Sequence, residues 1–191
     1  MTSTYDFSGV NVLCDNDATL VDSEIIAMPH AIESVFAYFD ALGLTPNVPV
    51  SDREKYAVEW AGKQISQMFA IVEEWTGHKI GQELLDQLCA DDADRVIEAL
   101  KEVKVIAGIP EALAELRDGG ATLSVVTSSS LLRVVPGLEN NSLVEFFATD
   151  GSEPRIWSAK ESLEEHPKYG RAIPKSAEHP EIYELALEFT G

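Results

Sequence analysis

Two acids, Asp15 and Asp17, close a short apolar run, and a third, Asp22, follows five residues later in the stretch VNVLCDNDATLVDSE. Asp15, Asn16, Asp17, Ala18 and Thr19 fall at the carboxyl end of a strand expected over 10–14, where Asn11 is the one lapse in the apolar pattern. An unpaired charge at the mouth of a buried strand is costly. Either these acids cap the helix that follows, since Asp is a good N-cap residue, or they hold a cation and do chemistry.

A second polar cluster, Thr127, Ser128, Ser129 and Ser130, ends another apolar run, and Lys175 precedes the last helical segment. In open parallel sheets ligands gather at the carboxyl ends of the strands. Two acids, a hydroxyl and a lysine converging on one crevice suit phosphoryl transfer to a carboxylate. One Asp can be the nucleophile, while a second protonates the leaving oxygen and later activates water. Lysine, backbone amides and a magnesium ion would disperse the phosphoryl charge. Plainer readings stand beside these: Thr127 and the serines also describe an ordinary strand-to-helix turn, and most lysines are simply solvated.

The elements that must position these residues change character along the chain. Apolar residues at helical spacing predict a helix over 22–42, ended by Gly43, and a loop over 44–52. A second helical stretch covers 52–76, interrupted at Gly62, and two further runs cover 82–89 and 92–103. A helix over 109–118, with Pro110 near its start, leads to a buried strand over 121–127. Another helix follows the serine-rich turn, short strands are expected at 146–150 and 155–158, and a final helix at 181–190. This order describes a parallel α/β core, 1–19 with 106–191, and an all-helical block at 20–105 inserted after the first strand. Mobile lids generally exclude water from a site they close over, and the hinges of this block are expected near 20–23 and 104–108.

DNDATLVDSE resembles the first signature of the haloacid dehalogenase-like hydrolases, usually DxDGTLVDSE. GIPEALAELRDGGATLSVVTSSS is similar to their second, and PKSAEHPEIYELALEFTG to their third, usually KPxPDIYxxALExLG. Order and spacing resemble the phosphoglycolate phosphatase and β-phosphoglucomutase branch, and the likeness spans nearly the whole chain. It implies a Rossmann-like parallel-sheet core with a helical cap, and a magnesium-dependent phosphatase acting on a small phosphorylated metabolite, of the sugar phosphate or phosphoglycolate class. Mutase-type phosphoryl transfer is the enzymatic alternative, and a catalytically impaired or binding homologue the other.

The resemblance implies Asp15 as phosphate-accepting nucleophile and magnesium ligand, and Asp17 as general acid/base whose carbonyl also meets the metal. Thr127, helped by the Ser128 amide, would hold the phosphoryl group, and Lys175 would neutralise it. Lys63 and Gln64, beside Gly62, lie where related caps place a substrate-reading loop. Ala18 stands where the family has Gly, and Lys175 lies two residues further from Pro-Glu-Ile-Tyr than usual. A fourth signature, paired acids ending a further strand, would fall after Gly191, so this chain is expected to bind magnesium weakly and to hydrolyse phosphate esters poorly.

Composition narrows the partners. Lys+Arg number 14 against 33 Asp+Glu, a formal net charge of -19, which repels nucleic acid and anionic membrane. A phosphate site must therefore be cationic locally. The first residues lack a basic segment followed by an apolar one, no run reaches membrane-spanning length, and Cys14 and Cys89 read as reduced core thiols. A cytoplasmic enzyme fits these facts. The four histidines show no metal-ligand spacing, and nothing sets an oligomeric state.

Overall fold

The computed structural model describes residues 5–44, 50–148 and 152–190. The expected loop over 44–52 falls mainly on 45–49, and the end of the expected strand over 146–150 on 149–150; both lie outside the described residues. The chain divides into two compact units, Met1–Ser23 with Lys101–Gly191, and Glu24–Leu100.

The first unit is built on three parallel strands, β1 (Asn11–Cys14), β2 (Thr122–Thr127) and β3 (Ile156–Ser158), in spatial order β1-β2-β3. Asn11 lies opposite Thr122 and Cys14 opposite Val125, while Val125 faces Ile156 and Thr127 faces Ser158. The central strand is buried along nearly its whole length, as expected of a parallel strand covered on both faces. β1 is only half-buried and starts at Asn11; Val10 before it is exposed, though its carbonyl accepts the Thr122 amide at 2.9 Å. Val126, Ala159, Leu163, Ile182, Leu185 and Ala186 form the core beneath the sheet.

The unit's helices follow their sequence signals. Pro110 sits in the first turn of the helix Ile109–Asp118, where a missing amide is harmless, and the final helix spans Glu181–Thr190. One expectation fails here, and one element is added. The described part of 146–150 is not a strand, since Val144–Phe146 forms a 3-10 turn that buries Phe146. A short helix, Glu161–Glu165, also went unforeseen; Ser158 Oγ takes the Lys160 and Glu161 amides at 3.0 and 3.2 Å and starts it.

The second unit is entirely helical among the described residues. Its first helix, Glu24–Ala41, packs on Ile65–Thr76 and on Gln82–Leu100. Between the first two lie the 3-10 turn Val50–Lys55 and the short helix Tyr56–Glu59. Gly62, at φ 76°, breaks the stretch as its lack of a Cβ allows. The runs 82–89 and 92–103 are corrected to one continuous helix, Gln82–Leu100. Asp92, next to the expected break, is buried within that helix and accepts the Ser34 hydroxyl at 2.5 Å. Val35, Phe36, Phe39, Phe69 and Val72 form the core, with Phe36 stacked on Trp60 at 5.8 Å.

The segments entering and leaving the helical unit are tied to each other within the first unit. Val21 bridges Val105 antiparallel. The Asp22 amide donates to the Lys104 carbonyl, and the Ile106 amide to that of Leu20, both at 3.0 Å. Asn141 clips the returning segment: its Oδ1 takes the Val105 amide at 3.0 Å, and its Nδ2 donates to the Val103 and Gly137 carbonyls at 2.8 Å.

Candidate functional site

The loop after β1 turns because one carbonyl gathers several amides. Asn16 O accepts from Thr19, Leu20 and Val21 at 3.3, 2.9 and 3.2 Å, and the Ala18 amide donates to Val21 O at 3.0 Å. The turn needs a left-handed residue at position 18, and Ala18 adopts φ 56°. An L-residue pays a steric cost there that Gly does not, so the substitution stores strain beside the two acids. The Asp17 carbonyl receives none of the turn's amides.

Asp15 and Lys175 meet. Lys175 Nζ lies 2.6 Å from Asp15 Oδ1, and donates to the Val126 carbonyl at 3.1 Å, one residue before the end of β2. Its side chain is 13% exposed against 44% for Asp15. The longer spacing to Pro-Glu-Ile-Tyr is absorbed in a turn, where the His179 amide donates to the Ser176 carbonyl at 3.1 Å. Asp15 Oδ1 also takes the Asn16 amide at 2.9 Å, which leaves Oδ2 uncommitted among the described residues.

Asp17 is held on both oxygens. Ser23 Oγ donates to Oδ1 at 2.5 Å and Ser129 Oγ to Oδ2 at 2.7 Å. The sequence assigned neither serine a role at these acids. Ser23, 1% exposed, spends its hydroxyl on the carboxylate. The signal was a hydroxyl beside each motif. Thr127 is fully buried at the end of β2, and its Oγ1 accepts the Ser129 amide at 3.0 Å. Ser128 is exposed.

Burial pushes the Cys14 thiol up, which keeps it neutral next to Asp15. Among the described residues no group of three or more His, Cys, Asp or Glu side chains could hold a metal ion. The Asp15 carboxylate and the Asp17 carbonyl, which accepts no hydrogen bond among the described residues, nevertheless fit magnesium, which takes one or two carboxylates plus substrate oxygens and waters. Lys63 and Gln64 belong to the helical unit and are exposed. Gln64 starts Ile65–Thr76, its amide bonded to Gln67 Oε1 at 2.8 Å. No helix among the described residues is long and apolar enough to cross a membrane.

Solved structures share this architecture. A hydrolase from Deinococcus radiodurans R1 with bound phosphate and sodium is 22% identical, with TM-score 0.61, over 95% of this chain and 67% of its own. A predicted phosphoglycolate phosphatase from Haemophilus somnus 129pt is 18% identical, with TM-score 0.64, over 96% and 72%. A mutant of CbbY from Rhodobacter sphaeroides in complex with xylulose-(1,5)bisphosphate is 19% identical, with TM-score 0.55, over 93% and 71%. At these identities the likeness is one of fold. No curated protein matches the chain. The family model described as haloacid dehalogenase-like hydrolase matches residues 12–152, most of the sequence, and the chain belongs to that family.

Proposed function

We propose that this protein is a magnesium-dependent phosphatase of a small phosphorylated metabolite, of the sugar phosphate or phosphoglycolate class, working through an aspartyl-phosphate. The observation that carries the reading is the contact of Lys175 Nζ with Asp15 Oδ1 at 2.6 Å. A cation held against a carboxylate at a strand end meets the demand for local positive charge in a chain of net charge -19. The neighbours with phosphate and with xylulose-(1,5)bisphosphate support the substrate class.

In this mechanism the Asp15 carboxylate attacks phosphorus, forming the acyl phosphate as the ester P–O bond breaks. Asp17, protonated, gives its proton to the departing alkoxide, which leaves as the alcohol. Asp17, now a carboxylate, takes a proton from water as that water attacks phosphorus, releasing phosphate and restoring Asp15. Lys175, the Thr127 hydroxyl and the Ser128 amide disperse charge on the phosphoryl oxygens. Asp15 and the Asp17 carbonyl would hold magnesium, which when bound supplies Lewis-acid charge neutralisation. The helical unit would select the substrate, with Lys63 and Gln64 as candidate contacts.

Turnover of para-nitrophenyl phosphate tests the reading. Asp15→Asn should abolish it, because an amide is a poor nucleophile for phosphorus, and Asp17→Asn should be nearly as damaging to kcat, because hydrolysis of the acyl phosphate loses the base that activates water. Normal turnover by the Asp15 variant would sink the mechanism.

A further inference from the structure

We infer that Ser129 is a positioning residue that joins the proton-shuttling carboxylate to the phosphate-holding turn, a reading that rests on the role proposed above for Asp17. One residue makes both connections. Its amide donates to Thr127 Oγ1 at 3.0 Å, and its hydroxyl to Asp17 Oδ2 at 2.7 Å.

The amide contact occupies an acceptor site on Thr127 Oγ1, so that hydroxyl's own proton stays available to a phosphoryl oxygen. The hydroxyl contact fixes one oxygen of Asp17 while leaving it a second lone-pair site for the leaving group. Because the serine hydroxyl both donates and accepts, it can stay bonded whether Asp17 carries the proton or not. Ser23 holds the other oxygen at 2.5 Å, and among the described residues it makes no hydrogen bond with Thr127. Ser129 therefore ties the hydroxyl proposed to hold a phosphoryl oxygen to the carboxylate proposed to protonate the leaving oxygen.

Misplacing a proton donor hurts most where the leaving group most needs the proton. An alkyl ester such as β-glycerophosphate depends on it strongly, and para-nitrophenyl phosphate weakly, because nitrophenolate departs unaided. The test compares kcat/KM for the two esters in the wild type, Ser129→Ala, Ser129→Thr and Asp17→Asn. Ser129→Ala is expected to lower the alkyl-to-aryl ratio about tenfold, the scale that a small misplacement commands, through kcat more than KM. Ser129→Thr, which keeps a hydroxyl, should restore most of the ratio, and a thermal melt checks that each variant is folded.

A ratio unchanged in Ser129→Ala, while Asp17→Asn collapses alkyl turnover, overturns the inference and leaves the mechanism standing. Equal losses on both esters, not rescued by Thr, also overturn it, since that is what a structural role produces. If Asp17→Asn turns over both esters normally, or the wild type hydrolyses neither, the mechanism and the inference fall together.

Discussion

The Glu73 carboxylate accepts the Ile80 amide at 2.5 Å, and Lys79 sits 3.3 Å from its other oxygen. One side chain at the end of a helix thereby closes the 77–81 loop onto the helical unit. The Ile80 amide, with smaller help from Lys79, holds the Glu73 carboxyl below its usual value. A group with a depressed folded pKa contributes stability above its unfolded value, and that contribution is lost as pH falls through the folded one. Glu73→Ala should cost about 1–2 kcal/mol near neutrality, the scale of a hydrogen bond to a charged group. Urea unfolding of both proteins should show the gap shrinking as pH is taken below the carboxylate range; a gap constant with pH would refute the assignment.

Lys175 should matter to turnover. Lys175→Met removes the cation from Asp15 and is expected to lower kcat/KM on phosphate esters about 100-fold, the scale for one preorganised charge donor. Lys175→Arg keeps the charge but not the compact ammonium that fits between Asp15 and the Val126 carbonyl. It should recover only part of the loss. Steady-state kinetics of the two variants decide this.

Ala18→Gly should stabilise the protein. Relief of the left-handed strain at φ 56° is worth about 1–2 kcal/mol. The added freedom of glycine in the unfolded chain takes back about 0.4–1 kcal/mol. A net gain of about 0.5–1 kcal/mol follows from those two terms, read as a higher urea midpoint at unchanged slope.

Asn141→Ala should be among the more damaging polar substitutions. It orphans the Val105 amide and the Val103 and Gly137 carbonyls together, and each unsatisfied, partly buried group costs about 1 kcal/mol or more. A loss of about 2–3 kcal/mol is expected by chemical denaturation, and Asn141→Asp should fall between, because it keeps only the acceptor.

What the sequence revealed depended on how cleanly each segment repeats. The strand at β2 and the helices Ile109–Asp118 and Glu181–Thr190 were legible because period and turn residues agree there. Gln82–Leu100 was split in two at 90–91, before a run of acids, and only the fold shows Ser34 bonded to the buried Asp92 inside one helix. The three residues of β3 are too few for a period, and Phe146 is buried by a turn rather than a strand. At the candidate site, motif order is what brought Asp15, Asp17 and Thr127 forward. It did not bring Ser23 and Ser129 forward, since hydroxyls near a turn normally serve backbone amides. Lys175 lies two residues further along the chain than the family spacing, and a turn at Ser176 takes up the difference.

The paired segments around Val21 and Val105 have a consequence for modularity. The helical unit leaves and rejoins the sheet-bearing unit at one clasp, where Asp22 and Ile106 bond the opposite strand. The α/β chain therefore experiences Glu24–Leu100 as a closed bight whose length hardly matters, since closure entropy grows only as the logarithm of loop length. Such a bight can be exchanged for a shorter or longer one with little penalty to the sheet. A chain in which a few Gly and Ser residues replace Glu24–Leu100 should still pair β1 with β2, keeping Lys175 on Asp15 while losing whatever discrimination the helices impose.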